Sequence, residues 1–111
     1  LYPVVSLAGP LAHGGSRNRL LGEQAAPDRV AEFSLERRAR PGMPPHFFVH
    51  ARDDRGVPPE NSTVLAGALR AQGVPAEVLL VATGGHGFGL GRDAESGRWP
   101  AAFLAWLDRL P

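Results

Sequence analysis

The most constraining stretch of this sequence is Glu77-Val78-Leu79-Leu80-Val81-Ala82, which runs through Thr83 into Gly84-Gly85-His86-Gly87-Phe88-Gly89. Its first half is an almost uninterrupted apolar run of strand length. A strand with one wet face alternates apolar and polar residues, so a continuous run predicts a strand covered on both faces, as in a parallel α/β sheet. Ligands and catalytic groups of such sheets gather beyond the carboxyl ends of the strands. The glycine loop presents one histidine there. Glycines on both sides of His86 allow positive φ and let another group approach the imidazole closely. His86 is then either a base at a strand end or an ordinary surface turn residue.

Composition removes several function classes. The 111 residues support one domain with one modest core. A net charge of +1 without a basic stripe argues against a nucleic-acid partner, and an apolar content of 43% against disorder. No apolar run approaches the roughly 18 residues of a membrane helix, so no membrane partner is expected. With no cysteine, disulfides, thiol nucleophiles and cysteine-ligated zinc are excluded. All 12 basic residues are arginine, which excludes a Schiff-base lysine and a P-loop lysine within these residues. The sequence opens at Leu1-Tyr2-Pro3-Val4-Val5, already strand-like, and reads as the middle of a gene product. The absence of a signal peptide therefore carries no information.

Residues 2–8 predict a first strand, closed by Gly9-Pro10. Residues 10–26 read mostly as loop, with a short apolar nub at Leu20-Leu21, and Pro27 opens a short helix through Phe33. A polar, proline-rich connection leads to a second strand over residues 46–51, followed by a polar turn. From Pro59 to Gln72, the residues Val64, Leu65, Ala68 and Leu69 recur at helical spacing, with Gly73 as a stop. The third strand covers 76–82. A last helix starts at Trp99-Pro100, with a stripe of Phe103, Leu104, Leu107 and Leu110 that Trp106 flanks. Strand–helix–strand alternation predicts a three-stranded parallel sheet with flanking helices, in three α/β/α layers. An unpaired first strand leaves an open edge for self-association.

Asp54 and His86 each lie in the loop after a buried strand, one βα unit apart. Adjacent parallel strands lie about 4.8 Å apart, which makes the two loops neighbours. An acid that fixes a histidine tautomer, and a histidine that takes a proton from a nucleophile, need such proximity. Acid then histidine on successive strand ends is the second half of the Ser…Asp…His order of α/β-hydrolases. The alternative is a turn aspartate and an unrelated surface histidine.

Longer runs carry a more specific resemblance. His50-Ala51-Arg52-Asp53-Asp54-Arg55-Gly56-Val57-Pro58-Pro59-Glu60-Asn61-Ser62, then residues 68–77, then Gly84-Gly85-His86-Gly87-Phe88-Gly89-Leu90, then Trp99-Pro100 resemble the carboxyl-terminal half of an α/β-hydrolase. The nearest group is the acetyl esterase/lipase-like one that includes acetyl xylan and feruloyl esterases. Tyr2-Pro3-Val4-Val5 and His13-Gly14-Gly15-Ser16-Arg17-Asn18 resemble the same group. The resemblance implies that residues 1–111 are the carboxyl-terminal segment of a single hydrolase domain, its strands being the last three of the sheet. It places the catalytic acid on Asp54, with Asp53 bracing the turn, and the catalytic histidine on His86. It implies a small ester as substrate, no cofactor, and the missing amino-terminal half of the domain as partner.

The departures matter as much. No Gly-x-Ser-x-Gly elbow occurs, so nucleophile and oxyanion amides fall outside these residues. Ser16 has the right chain order for a nucleophile, but Gly9-Pro10 and further residues separate it from the strand an elbow must leave directly. His13, His46, His50 and His86 with Asp53 and Asp54 suggest a metal site only loosely; each histidine is better read as a satisfied core or strand-end residue. The glycine loop fits no G-x-G-x-x-G frame. Phe88, Leu90 and loop 10–22 are candidates for the acyl or alcohol pocket wall, with core packing as the alternative. The rival function is a non-catalytic α/β module that associates through its open edge strand.

Overall fold

A computed structural model describes residues 1–111. In chain order the elements are helix α1 (Gly14–Leu21), helix α2 (Pro27–Phe33), strand β1 (His46–Ala51), helix α3 (Glu60–Ala71), strand β2 (Ala76–Val81) and helix α4 (Trp99–Leu107). Short 3₁₀ turns at Gly9–Leu11, Leu35–Arg37 and Ser96–Arg98 join them. No helix is long and apolar enough to cross a membrane.

β1 and β2 pair in parallel, with His46 opposite Ala76 and Ala51 opposite Val81. Side chains alternate across a sheet, so each strand feeds two cores. On one face Phe48 packs with Leu65, Ala66 and Leu69 of α3, with Val5 and Val74, against Ala76 and Val78. On the other face Val49, Ala51 and Val81 pack with Phe88, against Phe47, Leu79 and Trp99. α4 covers this second face, the rings of Phe103 and Trp106 lying 5.5 and 5.3 Å from that of Phe47. The expected α/β/α layering is therefore present.

The sheet has two strands where the sequence predicts three. Residues 2–8 form no strand; they bury Val5, Ser6 and Leu7, but their polar groups go elsewhere. Only the Tyr2 amide reaches β1, at the Val49 carbonyl (2.7 Å). No amide after it continues a ladder with β1. Beyond it the amides of Val5 and Ser6 both donate to Asn61 Oδ1 of α3, at 3.0 and 2.9 Å, and that of Leu7 to Ser34 Oγ at 3.1 Å. The segment does not join the sheet because side chains meet its hydrogen bonds.

Three smaller expectations are corrected. Residues 10–26 hold helix α1, begun by two glycines of low helix propensity and capped by His13, whose Nδ1 accepts the Ser16 amide at 3.2 Å. On α3, Ala66 faces the core and Val64 is exposed. On α4, Leu104 and Leu107 are 61% and 41% exposed while Trp106 is buried. Trp99, Phe103 and Trp106 form their own helical stripe, and three large rings bury more apolar area than the leucines. Gly73, at φ 73°, ends α3 as expected.

The two edges of the sheet differ. The amides of His46 and Arg52 donate to the carbonyls of Pro75 and Val81, so odd-numbered carbonyls of β2 face β1 and even-numbered ones face outward. Arg70 Nε donates to the outward Ala76 carbonyl (2.8 Å) and Arg98 reaches that of Leu80 (3.5 Å), which blocks the outer edge of β2 with charge. β1 has no such guard. Its outer side receives the Tyr2 amide at Val49 and the Asp54 amide at Ala51, and presents the amides of Phe47, Val49 and Ala51.

Asn61 joins the extended segment to α3. Its side chain is fully buried and uses its whole capacity: Oδ1 accepts two amides, and Nδ2 donates to the carbonyls of Leu11 and Pro58, each at 3.0 Å. Asn61→Ala strands these groups, each costing about 1–3 kcal/mol when unpaired in the interior. Urea unfolding is expected to show a loss of about 3 kcal/mol or more, whereas Thr63→Ala on the exposed side of α3 stays within about 0.5 kcal/mol of wild type.

Candidate active site

The site is built around one carboxylate. β1 ends at Ala51, and the amide of Asp54 closes a tight turn onto the Ala51 carbonyl (3.2 Å). That turn brings Asp54 back under the sheet end with its side chain fully shielded from solvent. Oδ1 accepts the amides of Gly56 and Val57 at 2.9 and 2.8 Å. Oδ2 accepts from His86 Nδ1 at 2.8 Å and from His50 Nε2 at 3.0 Å. A carboxylate offers about four lone-pair sites, and all four are taken. Burial alone pushes the Asp54 carboxyl up, but the bonds from the Val57 amide, His86 and the Gly56 amide outweigh it and hold the group below its ordinary value.

His86 reaches that oxygen from the glycine loop after β2. Its neighbours Gly85 and Gly87 stand at φ 62° and 76°, a region closed to most side chains. The Gly85 amide donates to Asp53 Oδ1 (2.8 Å), so the adjacent aspartates divide the work: Asp54 meets the imidazole and Asp53 braces the loop. Further on, Trp99 Nε1 donates to the Gly89 carbonyl (3.0 Å). Asp93 binds the Ser96 amide and hydroxyl (2.7 Å each) and the Thr83 hydroxyl (2.9 Å), bonds that depress its carboxyl and tie the two ends of the loop together.

Since Asp54 Oδ2 only accepts, His86 Nδ1 carries the hydrogen of that bond, and Nε2 of the neutral ring is a bare lone pair. Nε2 has no partner within the chain, on a ring 45% exposed. Such a pair can take a proton at Nε2 while the carboxylate stabilises the resulting imidazolium.

Tyr2 supports the ring from the side. Its centroid lies 5.0 Å from that of His86 and 4.9 Å from that of Phe88, both edge-on, and its hydroxyl accepts the Gly89 amide at 3.3 Å. Tyr2 holds φ at 32°, a strain of about 1–3 kcal/mol that these contacts must offset.

The remaining residues singled out in the sequence lie elsewhere. Ser16 sits in α1, its hydroxyl bonded to His13 Nδ1 (2.9 Å), not on a strand-to-helix elbow. His46 bonds the Pro44 carbonyl. Phe88 is core rather than pocket wall, Leu90 is 77% exposed, and much of segment 10–22 is helix. Sequence reasoning reads His50 as a satisfied core or strand-end histidine and misses its contact with Asp54; the available signal is its parity with Phe48, which turns it toward α3.

Residues 22–110 match the prolyl oligopeptidase family. The chain belongs to that family, in the α/β-hydrolase superfamily. An acetyl ester-xyloside bifunctional hydrolase from Caldicellulosiruptor lactoaceticus superposes with a TM-score of 0.90 and 40% identity, over 96% of this chain and 39% of that one. A carboxylesterase from Lactobacillus plantarum WCFS1 gives 0.74 and 27%, over 96% and 42%. An endo-1,4-beta-xylanase B from Butyrivibrio fibrisolvens is 33% identical over 98 residues, 88% of this chain but 15% of the xylanase. The chain thus spans well under half the length of each.

The depressed Asp54 carboxyl links stability to pH. Its contribution is complete above the unfolded carboxylate value of about 3.9 and is lost as pH falls through the lower native value. Asp54→Asn is expected to melt at a lower temperature at pH 7 and to lose less of its stability between about pH 4 and pH 2 than wild type does. Thermal melts across that range check this; an unchanged acid slope contradicts it. Asp93 keeps its own share in both proteins.

Proposed function

We propose that this chain supplies the acid and the histidine of a Ser-His-Asp triad in a carboxylic-ester hydrolase, with the nucleophilic serine and oxyanion amides coming from polypeptide outside these residues. The observation that carries this reading is the 2.8 Å contact between Asp54 Oδ2 and His86 Nδ1, with Nε2 left open. His86 Nε2 takes the serine proton as the hydroxyl adds to the ester carbonyl, and Asp54 stabilises the imidazolium. His86 then returns the proton to the departing alcohol, and repeats both steps with water to release the acid. The likeness to an acetyl ester-xyloside hydrolase and a carboxylesterase supports an acetyl-esterase-like activity.

In a hydrolase domain that joins this segment to its nucleophile, His86→Ala and Asp54→Asn are each expected to lower kcat on a 4-nitrophenyl ester by about a thousandfold to ten-thousandfold, with the fold retained. Near-normal turnover in either variant refutes the assignment. The 111-residue chain alone should resist a fluorophosphonate probe, as Ser16 lies within α1 and not on a strand-to-helix elbow. Labelling lost on Ser16→Ala would place the nucleophile within the chain.

One observation favours a second reading, a non-catalytic module that associates by strand addition: β1 lacks the guard that Arg70 and Arg98 give β2. Sedimentation velocity separates the two readings. A concentration-dependent dimer combined with inactivity of the completed domain favours the module.

A further inference from the structure

His50 is the fully buried histidine of the chain, and a phenylalanine or leucine would fill its place at lower desolvation cost. What the imidazole adds is two hydrogen bonds of fixed direction. Nε2 lies 3.0 Å from Asp54 Oδ2 and 3.0 Å from the Val57 carbonyl. Both partners only accept, so Nε2 carries a hydrogen. Nδ1 lies 2.8 Å from Ser62 Oγ, in the first turn of α3. A neutral ring satisfies every partner: Ser62 donates to bare Nδ1, and Nε2–H is shared between Asp54 and Val57.

We propose that His50 is a positioning residue for the acid of the site, donating to Asp54 Oδ2 alongside His86 so that this oxygen stays aligned with His86 Nδ1. The proposal rests on the reading of Asp54 and His86 as the acid–histidine pair. Gly56 and Val57 fix Oδ1 but leave Oδ2 free to pivot about it. His50 removes that freedom, and it does so from β1, the strand that also carries the acid's turn. Ser62 ties the same ring to α3. An Oδ2 that cannot turn away keeps the hydrogen of His86 on Nδ1 and its lone pair on Nε2, the state a base requires.

The test is imidazole nitrogen NMR on the ¹⁵N-labelled chain at neutral pH, with His50→Phe, which keeps bulk without a donor, and His50→Gln, whose amide can donate to Oδ2 and accept from Ser62. Wild type is expected to show His50 with a slowly exchanging hydrogen on Nε2 and His86 with its hydrogen on Nδ1. His50→Phe should bring His86 to a mixture of tautomers and move the Asp54 carboxyl titration up, and His50→Gln should restore both. In the completed hydrolase, His50→Phe should lower kcat about 10- to 100-fold with KM nearly unchanged, and His50→Gln should recover most of it. A wild-type His50 bearing its hydrogen on Nδ1, or a His50→Phe protein with His86 and Asp54 unmoved, overturns the proposal. Should His50→Phe not fold, the wild-type spectrum decides: without a slowly exchanging Nε2 hydrogen the proposal fails. Full activity in His86→Ala would sink the acid–histidine reading while the spectra still report on His50, so the two failures are distinguishable.

Discussion

A single buried carboxylate with every lone pair occupied holds the functional end of this fold together. Burying Asp54 carries a penalty that an unpaired carboxylate would meet by taking up a proton. Two backbone amides and two imidazoles prevent that. These donors come from different parts of the chain: Gly56 and Val57 from the acid's own turn, His50 from β1, and His86 from the loop after β2. Satisfying one charge thereby fixes the relative positions of three segments. The site is not an ornament on a finished scaffold, since its hydrogen bonds are part of what shapes the scaffold.

The run Val57-Pro58-Pro59-Glu60-Asn61-Ser62 shows how much work a short segment can do. Val57 donates its amide to Asp54 and offers its carbonyl to His50. Pro58 gives its carbonyl to the Asn61 amide and side chain. Asn61 anchors the extended segment that follows Tyr2, and Ser62 holds the far nitrogen of His50. The same turn that begins α3 thus organises the carboxylate, the second histidine and the approach of the chain's first residues.

Much of this was legible in the sequence. Both strands and the helix between them follow from apolar runs bounded by breakers, and the pairing of Asp54 with His86 follows from their places at successive strand ends. The specificity of the Asn61-Ser62 pair was visible as resemblance, but its reason, hydrogen bonds from Asn61 to residues 50 or more positions away and from Ser62 to a histidine 12 positions away, has no local signature. Residues 2–8 failed as a strand for a related reason: apolar alternation says what a segment buries, not what its amides bind. The face of α4 failed on magnitude, because spacing alone ranks Leu104 with Phe103, whereas ring area turns the helix toward Trp99, Phe103 and Trp106. The sequence leaves His50 as a core or strand-end histidine; it is buried, and a buried imidazole needs acceptors, here Asp54 and the Val57 carbonyl.

The asymmetry of the sheet bears on where a further strand can pair. β2 ends the sheet on its side, because a strand arriving there would have to displace two arginine side chains from the Ala76 and Leu80 carbonyls. Any added strand therefore joins at β1, where Tyr2 already makes one bond of the kind such a strand would make. A strand seated there would lie about 4.8 Å from β1 and its loop would emerge beside the turn of Asp54. Tyr2 links that edge to the site directly, its amide on β1 and its ring against His86. Whatever occupies the edge of β1 is thus coupled through one strained residue to the orientation of the imidazole. Strand pairing and the His86 ring share a fulcrum.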